Sequence, residues 1–289
     1  MALEFRYSDK NPSYPISSAS FMAMHTRIEI LLTGMAQSDG RALMERIEEE
    51  IRAMERRFNC HDERSPLVAM NLRAAGQSVE VDEDMFMALE LCELFRRTTG
   101  GAFDIATDTA VAGQSSYRLD ASCHAVRYLR EGVRLDMGGF AKGYALERIR
   151  QMVADAGVKT ALMNFGNSSV AALGHHPYGK WWAIGVEHTT CRGQLAHEVH
   201  LQGSAMSVSG RSTDGRYHIV NPTTGGVVAG EELILVEGRS ALITEVLSTA
   251  LYAAPKAQRA AIMEQYNGYR ATEIYCRAGG GVEHREIGK

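Results

Sequence analysis

Four short runs of strand-like residues follow one another between positions 160 and 201, and they constrain the fold more than any other feature. The runs cover residues 160–165, 169–173, 181–186 and 197–201. Glycine, His-Pro and polar segments separate them, and such turn signals favour antiparallel pairing of neighbouring strands. Helical patterns lie before and after this block instead of alternating with single strands. The order therefore predicts an α+β fold with mixed or antiparallel sheets and packed helices, not a doubly wound parallel sheet.

An amphipathic helix is predicted over residues 39–58, where apolar side chains recur every three or four positions and form one stripe on a charged segment. The stripe consists of Leu43, Ile47, Ile51, Met54 and Phe58. Further helices are predicted over 83–97, 141–153, 245–254 and 256–266, and further strands over 26–32 and 269–277. The apolar stripe requires a partner surface, so we expect the first helix to pack on a sheet.

Composition excludes several classes of protein. The 289 residues carry 31 Lys and Arg against 35 Asp and Glu, and a net charge of −4 gives no basic surface for nucleic acid. No run of about 18 uncharged apolar residues is present, as a membrane-spanning helix would need. The organisation predicted is a polar leader over 1–21, a single domain or two intertwined lobes over 22–278, and a loose tail over 279–289.

The location predicted from the sequence is the cytoplasm. Residues 1–21 carry Glu4, Asp9 and Pro15 and lack the basic and apolar regions of a signal peptide, and no lipobox cysteine follows. The five cysteines contain no CxxC pair, which favours reduced thiols over a disulfide framework. A periplasmic location remains open if a leader segment has been removed.

The segment from Arg134 to Ala145 joins an extended stretch to a glycine pair and a helix with Lys142 in its first turn. Backbone N–H groups and the positive end of the helix dipole point towards a ligand at such a junction, and Lys142 adds a full charge. A phosphate group is the ligand that this arrangement suits. The alternative is a tight glycine turn with a solvated lysine.

Two further sites are weaker when considered alone. Glu245 and Thr249 lie four residues apart on one face of a predicted helix and offer the oxygen ligands that Mg²⁺ requires. His218 precedes an Asn-Pro turn, and its imidazole can transfer protons near neutral pH. An ordinary helix surface and an incidental histidine are the alternatives.

Taken together and in order, these segments resemble the ApbE family of FAD:protein FMN transferases over nearly the whole chain. The resemblance is strongest at Leu135-Asp-Met-Gly-Gly-Phe-Ala-Lys-Gly-Tyr-Ala145 and at Thr99-Gly-Gly-Ala-Phe-Asp104. The other similar segments are Met24-His-Thr26, Ser65-Pro-Leu-Val-Ala-Met-Asn71, Met163-Asn-Phe-Gly166, His218-Ile-Val-Asn-Pro-Thr-Thr-Gly225 and Leu247-Ser-Thr-Ala-Leu251. The resemblance implies an ApbE-like, T-fold-like architecture.

The resemblance also implies functional residues. Those expected to bind the flavin nucleotide are Met24, His61, Ala102, Phe103, Asp104, Lys142, Asn164 and Gly166. Glu245, Thr249 and the carbonyl oxygen of Gly139 would hold Mg²⁺, and His218 and Asp104 are the candidate catalytic bases. The implied reaction transfers FMN from FAD to a Thr or Ser hydroxyl of an acceptor protein and releases AMP.

Several positions depart from the family pattern. Glu245 stands where Asp is usual, His61 replaces a frequent Tyr, Asn221 replaces the Asp of Asp-Pro, and Asn167-Ser168 stands where Gly-Asp is usual. Two other functions therefore stay open, a Mg²⁺-dependent FAD pyrophosphatase that yields FMN and AMP, and a flavin-binding homologue without activity. The acceptor protein and the oligomeric state are not indicated by any residue.

Overall fold

The computed structural model describes residues 2–211 and 219–288. Within these ranges the chain forms six α-helices and fourteen strands. The helices are α1 (Gln37–Phe58), α2 (Pro66–Arg73), α3 (Glu83–Thr98), α4 (Ala141–Asp155), α5 (Ala241–Ala253) and α6 (Lys256–Met263). The first seven strands are β1 (Glu4–Ser8), β2 (Ile16–Ala23), β3 (Thr26–Thr33), β4 (Val79–Glu80), β5 (Tyr117–Asp120), β6 (Ala125–Tyr128) and β7 (Ala161–Phe165). The others are β8 (Ser169–Leu173), β9 (Trp182–Glu187), β10 (Leu195–Leu201), β11 (Ala205–Ser209), β12 (Glu232–Gly238), β13 (Arg270–Cys276) and β14 (Val282–Glu286).

A nine-stranded sheet organises the described part of the chain. Its strand order is β1-β2-β3-β7-β8-β11-β12-β13-β14, and every neighbouring pair is antiparallel. Strands β9 and β10 form a separate antiparallel pair, and β4, β6 and β5 form a third small sheet. The predicted α+β class with antiparallel sheets is confirmed.

Helices α1, α3, α4 and α6 lie where the sequence predicted helices, whereas α2 was not predicted. All five stripe residues of α1 are buried, and α1 packs on β2 and against α4. Helix α3 begins where the side chain of Asp82 accepts a hydrogen bond from the Met85 N–H at 2.8 Å. Such caps satisfy backbone donors that the first helical turn leaves unpaired. Side-chain burial and capping together therefore set these helix positions.

Helix α5 starts one turn earlier than the sequence predicted. The Ser240 side chain caps it by accepting from the Ile243 N–H at 3.3 Å, so the helix begins at Ala241. Because nearly every side chain of α5 is buried against β11, β12 and α4, its pattern lacks a polar face. The start was missed because a helix that is apolar all round carries little periodic signal.

Both predicted chain ends need correction. Residues 1–21 are not merely a polar leader, because they form β1 and most of β2 at one edge of the large sheet. Residues 279–289 are not a loose tail, because Val282–Glu286 pair with β13 as the opposite edge strand. Strands β1 and β14 are exposed edge strands with charged side chains, which give weak sequence signals. Strand β2 lies inside the sheet and gives a weak signal for another reason, the small side chains at its inward positions.

None of the described helices has the length and apolar character needed to cross a membrane.

Candidate functional site

A cleft of about 790 Å³ lies where helices α4 and α5 meet the turns of the large sheet. This volume is within the range of roughly 300–1,000 Å³ that is typical of small-molecule sites. Its apolar lining includes Met24, Phe58, Phe103, Ile105, Met137, Val186, Val208, Ile219 and Leu233. Its polar lining includes Glu55, Asp104, Asp136, Lys142, Glu187, Arg211, Glu245 and Thr249. The cleft thus combines an apolar surface with charged groups.

Lysine 142 and Glu245 form an ion pair at the α4–α5 side of the cleft. The Lys142 Nζ lies 2.8 Å from Glu245 Oε1. The hydroxyl groups of Ser207, at 2.8 Å, and of Ser169 donate to Glu245 Oε2. Glu245 is only 3% exposed, so its charge is held almost entirely by protein groups.

Helix α4 itself presents its amino end to the cleft. It starts at Ala141 without a hydrogen bond from any described side chain to its first turn. Gly138, Gly139, Ala141 and Lys142 all line the cleft. The Ala141 N–H donates to the Met137 carbonyl oxygen at 2.8 Å, so the following N–H groups and the positive dipole end are what this first turn offers to an anion.

Two glycines, one just before α4 and one in its first turn, allow helices α4 and α5 to pack in close contact. A Cβ atom at Gly143 would lie 2.5 Å from the Glu245 Cβ and 3.0 Å from the Ala241 carbonyl oxygen. A Cβ atom at Gly139 would lie 3.2 Å from the Thr249 Cγ2. The glycines of the Gly-Gly-Phe-Ala-Lys-Gly segment therefore bring Gly139, Glu245 and Thr249 together.

We expect Gly143→Ala to destabilise the protein by about 1–3 kcal/mol, the usual cost of overpacking a filled interior. Alanine stabilises a helix by about 1 kcal/mol relative to glycine. This gain is smaller than the expected cost, because the Glu245 Cβ is attached directly to the backbone and cannot move away as the end of a flexible side chain could. Chemical denaturation measures the free energy of unfolding. Gly281→Ala is the control, because its Cβ would meet only Arg277 Cβ at 3.6 Å. Equal stability of the two variants would contradict the packing argument.

Two hairpin turns with left-handed residues form another wall. Met24 and His25 have φ values of 50° and 57° and connect β2 to β3 as a two-residue turn. The Met24 N–H donates to Glu55 Oε1 at 2.6 Å, which holds this turn against α1. Glycine or asparagine normally occupies such positions, and non-glycine residues held there cluster at functional sites.

The second turn connects β7 to β8. Gly166 and Asn167 have φ values of 63° and 61°, and both line the cleft with Ser168. The Asn167 N–H donates to Asn164 Oδ1 at 2.9 Å, and the Asn164 amide donates to Asn167 Oδ1 at 2.8 Å. Asn164 therefore fixes the turn without itself lining the cleft.

The loop after α3 places Phe103 and Asp104 in the cleft. The Thr99 hydroxyl donates to the Phe95 carbonyl oxygen at 2.7 Å and accepts from the Phe103 N–H at 3.0 Å. Phe103 packs edge-to-face on Phe95, with ring centroids 6.2 Å apart. These contacts explain why threonine precedes the glycine pair in this segment.

Burial raises the pKa of Asp104, and neighbouring Glu93 adds to the effect. A hydrogen bond from the Ala106 N–H, at 2.8 Å, and the charges of Arg96 and Arg130 oppose the increase without cancelling it. A raised pKa brings the carboxylate closer to the basicity that general-base catalysis needs at neutral pH.

Asp104→Asn is expected to raise the melting temperature at pH 7, because burial disfavours the ionised form of this carboxyl group and the amide carries no charge. The pKa of Asp104 is higher in the folded state than its unfolded value of about 3.9, so protonation of this carboxyl group stabilises the fold. This contribution is fully present below about pH 3.9 and is lost as the pH rises through the folded-state pKa. The higher melting temperature of the variant relative to the wild type should therefore disappear near pH 3–4. Thermal unfolding across this pH range measures it. A variant less stable than the wild type at pH 7 would contradict the assignment of burial as the dominant effect.

Most of the residues predicted for the site surround the one cleft. The predicted residues that line it are Met24, His61, Ala102, Phe103, Asp104, Gly139, Lys142, Gly166, Glu245 and Thr249. Asn164 supports the lining indirectly, as described. His218 lies outside the described residues.

Sequence reasoning missed several groups of the site. Glu55, Asp136, Glu187 and Arg211 line the cleft, and Ser169 and Ser207 bind Glu245. The two serines lie on β8 and β11, which pair as Ser207↔Ser169. Because this pairing joins residues far apart in the chain, no local pattern could reveal it.

The charge balance of the described lining is acidic. Five carboxyl groups, on Glu55, Asp104, Asp136, Glu187 and Glu245, face the cleft together with the two cationic side chains Lys142 and Arg211. The described residues contain no cluster of three or more His, Cys, Asp or Glu side chains that could hold a metal ion. A cation bound here would therefore rely on one carboxylate, the Thr249 hydroxyl, a backbone carbonyl, water and ligand phosphates. The residues fit Mg²⁺, which is commonly held by one or two carboxylates and substrate phosphates.

Comparison with known sequences gives one family and several named relatives. The sequence model of the ApbE family matches residues 24–272. The FAD:protein FMN transferase of Treponema pallidum (strain Nichols) is 24% identical over 272 residues, which cover 76% of this chain and 75% of that protein. The FAD:protein FMN transferase of Rhodobacter capsulatus is 26% identical over 272 residues, covering 82% of this chain and 51% of that protein. The chain thus spans about half the length of the second relative.

Solved structures show the same fold. A flavin transferase ApbE from Vibrio cholerae superimposes with a TM-score of 0.81 at 16% identity, covering 95% of this chain and 97% of that one. The ApbE protein from Thermotoga maritima gives a TM-score of 0.75 at 23% identity, covering 96% of each chain. The architecture that the sequence segments implied is therefore confirmed.

Proposed function

The chain belongs to the ApbE family, and from that premise we propose that it transfers FMN from FAD to a Thr or Ser hydroxyl of an acceptor protein and releases AMP. The observation that carries the proposal is the convergence of separate sequence segments on one cleft. Phe103, Lys142 and Glu245 come from three separate segments, and the first and last of these residues lie more than 100 positions apart in the chain. All three nevertheless line this cleft.

The cleft offers different surfaces to the two ends of a flavin dinucleotide. Met24 and the 4% exposed Phe103 supply apolar lining for an aromatic ring system. Lys142 and the uncapped start of α4 supply positive charge for the pyrophosphate. Asp104 and His61 add polar groups beside the flavin.

Magnesium is the cofactor in this proposal, held by Glu245, Thr249 and the Gly139 carbonyl oxygen. When bound, it neutralises charge that accumulates on the phosphate oxygens during phosphoryl transfer. The acidic balance of the described lining supports the need for a cation, since a pyrophosphate would add negative charge to a cleft that five carboxyl groups line.

The transfer step balances with one nucleophile, one leaving group and one base. The acceptor hydroxyl oxygen forms a bond to the phosphorus of the FMN half, and the bond from that phosphorus to the bridging oxygen breaks. AMP leaves with the bridging oxygen, and the hydroxyl proton passes to a base. His218 and Asp104 are the proposed bases, and Asp104 has the raised pKa that supports this role. A positioned base contributes about 10²–10⁴ in rate.

The test is to incubate the protein with FAD and Mg²⁺, with and without an unmodified acceptor flavoprotein that carries a Thr or Ser target. We expect acceptor-bound FMN and equimolar AMP, and no product after chelation of the metal. Free FMN and AMP in both reactions would indicate a FAD pyrophosphatase instead. Intact FAD under all conditions would indicate a flavin-binding protein without activity.

A further inference from the structure

The ammonium group of Lys142 has no donor left for a phosphate in the described structure. Its Nζ contacts Glu245 Oε1 at 2.8 Å, Ser168 Oγ at 3.2 Å and Ser169 Oγ at 3.3 Å. A lysine ammonium has three N–H donors, so these three contacts use all of them. Lys142 can meet an anionic ligand only by giving up at least one.

The carboxylate of Glu245 is equally occupied. Oε1 accepts from Lys142, and Oε2 accepts from the hydroxyls of Ser207 and Ser169. The proposed roles of the two residues therefore conflict with their contact. A metal at Glu245 and a phosphate at Lys142 both require the ion pair to open.

We propose that the Lys142–Glu245 ion pair is an internal latch: Lys142 acts as the tethered counter-ion of Glu245, and a divalent cation replaces it there and releases its ammonium to the anionic ligand. This inference rests on the proposed function, because it couples the binding of cation and dinucleotide at the same site. Binding of either one then favours the other, since each separates the same pair.

The structure indicates which partner moves. Glu245 lies on the buried face of α5, where the backbone of Gly143 leaves no room for a further atom beside its Cβ and two serines donate to its carboxylate. Lys142 lies in the first turn of α4, and its side chain is 26% exposed, against 5% for Glu245. Its flexible four-carbon stem lets the ammonium move while the backbone stays in place. Glu245 therefore remains in place as the cation ligand, and Lys142 swings towards the cleft.

The first test is a calorimetric titration with Mn²⁺ in the absence of nucleotide. Lys142→Met should bind Mn²⁺ at least about tenfold more tightly than the wild type, because the competing charge is gone while the aliphatic stem stays. Lys142→Gln provides a second variant that keeps hydrogen bonding if the methionine variant does not fold. Lys159→Met, at an exposed lysine outside the cleft lining that the structure describes, removes the same charge and should bind Mn²⁺ as the wild type does. Unchanged or weaker binding by both Lys142 variants would overturn the latch, and so would failure of every protein to bind Mn²⁺.

The reciprocal test uses inorganic pyrophosphate without metal. Glu245→Gln should bind pyrophosphate several-fold more tightly than the wild type, because Lys142 no longer faces a carboxylate. Equal or weaker binding would count against the latch. FAD turnover by the wild type, measured separately, reports on the proposed function alone. A protein that transfers FMN but shows neither affinity change would retain the function and lose the latch.

Discussion

Glu245→Gln is expected to lower the rate of FMN transfer by about 10²–10³-fold, the usual loss when one electrostatic contact to a transition state is removed. The substitution keeps the shape of the side chain and can still accept from Ser207, so the fold should persist. It removes the charge that would hold a divalent cation beside Thr249 and Gly139. Steady-state AMP release at saturating FAD and Mg²⁺ measures the effect.

Glu245→Asp is the matched control, because it keeps the negative charge on a side chain that is one methylene shorter. We expect this variant to keep most of the activity with a shifted requirement for Mg²⁺. If the glutamine variant were as active as the aspartate variant, Glu245 would not be a metal ligand in the reaction. Circular dichroism and thermal unfolding of both variants separate a loss of chemistry from a loss of fold.

Arg259→Met is expected to destabilise the protein by about 3–5 kcal/mol, the typical loss when one partner of a buried ion pair is removed. The Arg259 Nη1 lies 2.8 Å from Glu232 Oε1 and 2.6 Å from Glu273 Oε1, and all three residues are buried. Without the arginine, two buried carboxylates would face each other across β12 and β13. Denaturant unfolding measures the free-energy difference.

The exposed Lys256 offers a control for this ion-pair network. Its Nζ lies 3.6 Å from Glu232 Oε2, but its side chain is 57% exposed, so Lys256→Met should cost at most about 1 kcal/mol. Similar losses in both variants would contradict the view that burial makes the Arg259 pairs important.

The effect of Arg259→Met should also depend on pH. Burial raises the pKa of Glu232, but hydrogen bonds from its own backbone and from Arg259, with the arginine charge, outweigh this and lower it overall. Because the pKa of Glu232 is lower in the folded state than its unfolded value of about 4.3, the ionised carboxylate stabilises the fold above about pH 4.3. This contribution is lost as the pH falls through the folded-state pKa. The difference in the free energy of unfolding between wild type and variant should therefore become smaller below about pH 4.

The sequence predicted those parts of the fold that local periodicity determines. The stripe from Leu43 to Phe58 predicted α1, because one helix face buries all of its apolar residues. Strand β2 was missed because its inward positions include the small residue Ser17, which packs under Gly40, instead of large β-branched side chains. Strand β14 was missed because its charged residues lie at a sheet edge, where neither face requires apolar alternation.

The site was predicted only where its residues belong to recognisable segments. Lys142 and Phe103 came from such segments, and the structure brings them to one cleft. The contact of Glu245 with Ser169 and Ser207 depends on how β8 pairs with β11, which the full topology decides. Likewise, the hydrogen bond from the Met24 N–H to Glu55 depends on the packing of α1 on β2. Contacts between distant segments cannot be derived from the spacing within any one of them.

The most direct test of the central claim is the mass of an acceptor flavoprotein after incubation with this protein, FAD and Mg²⁺. The account predicts an increase equal to FMN less one water, one AMP released per acceptor modified, and no increase with the Glu245→Gln variant over the same time. An acceptor of unchanged mass, with FAD intact or converted to free FMN, would contradict the claim that this cleft transfers FMN to protein.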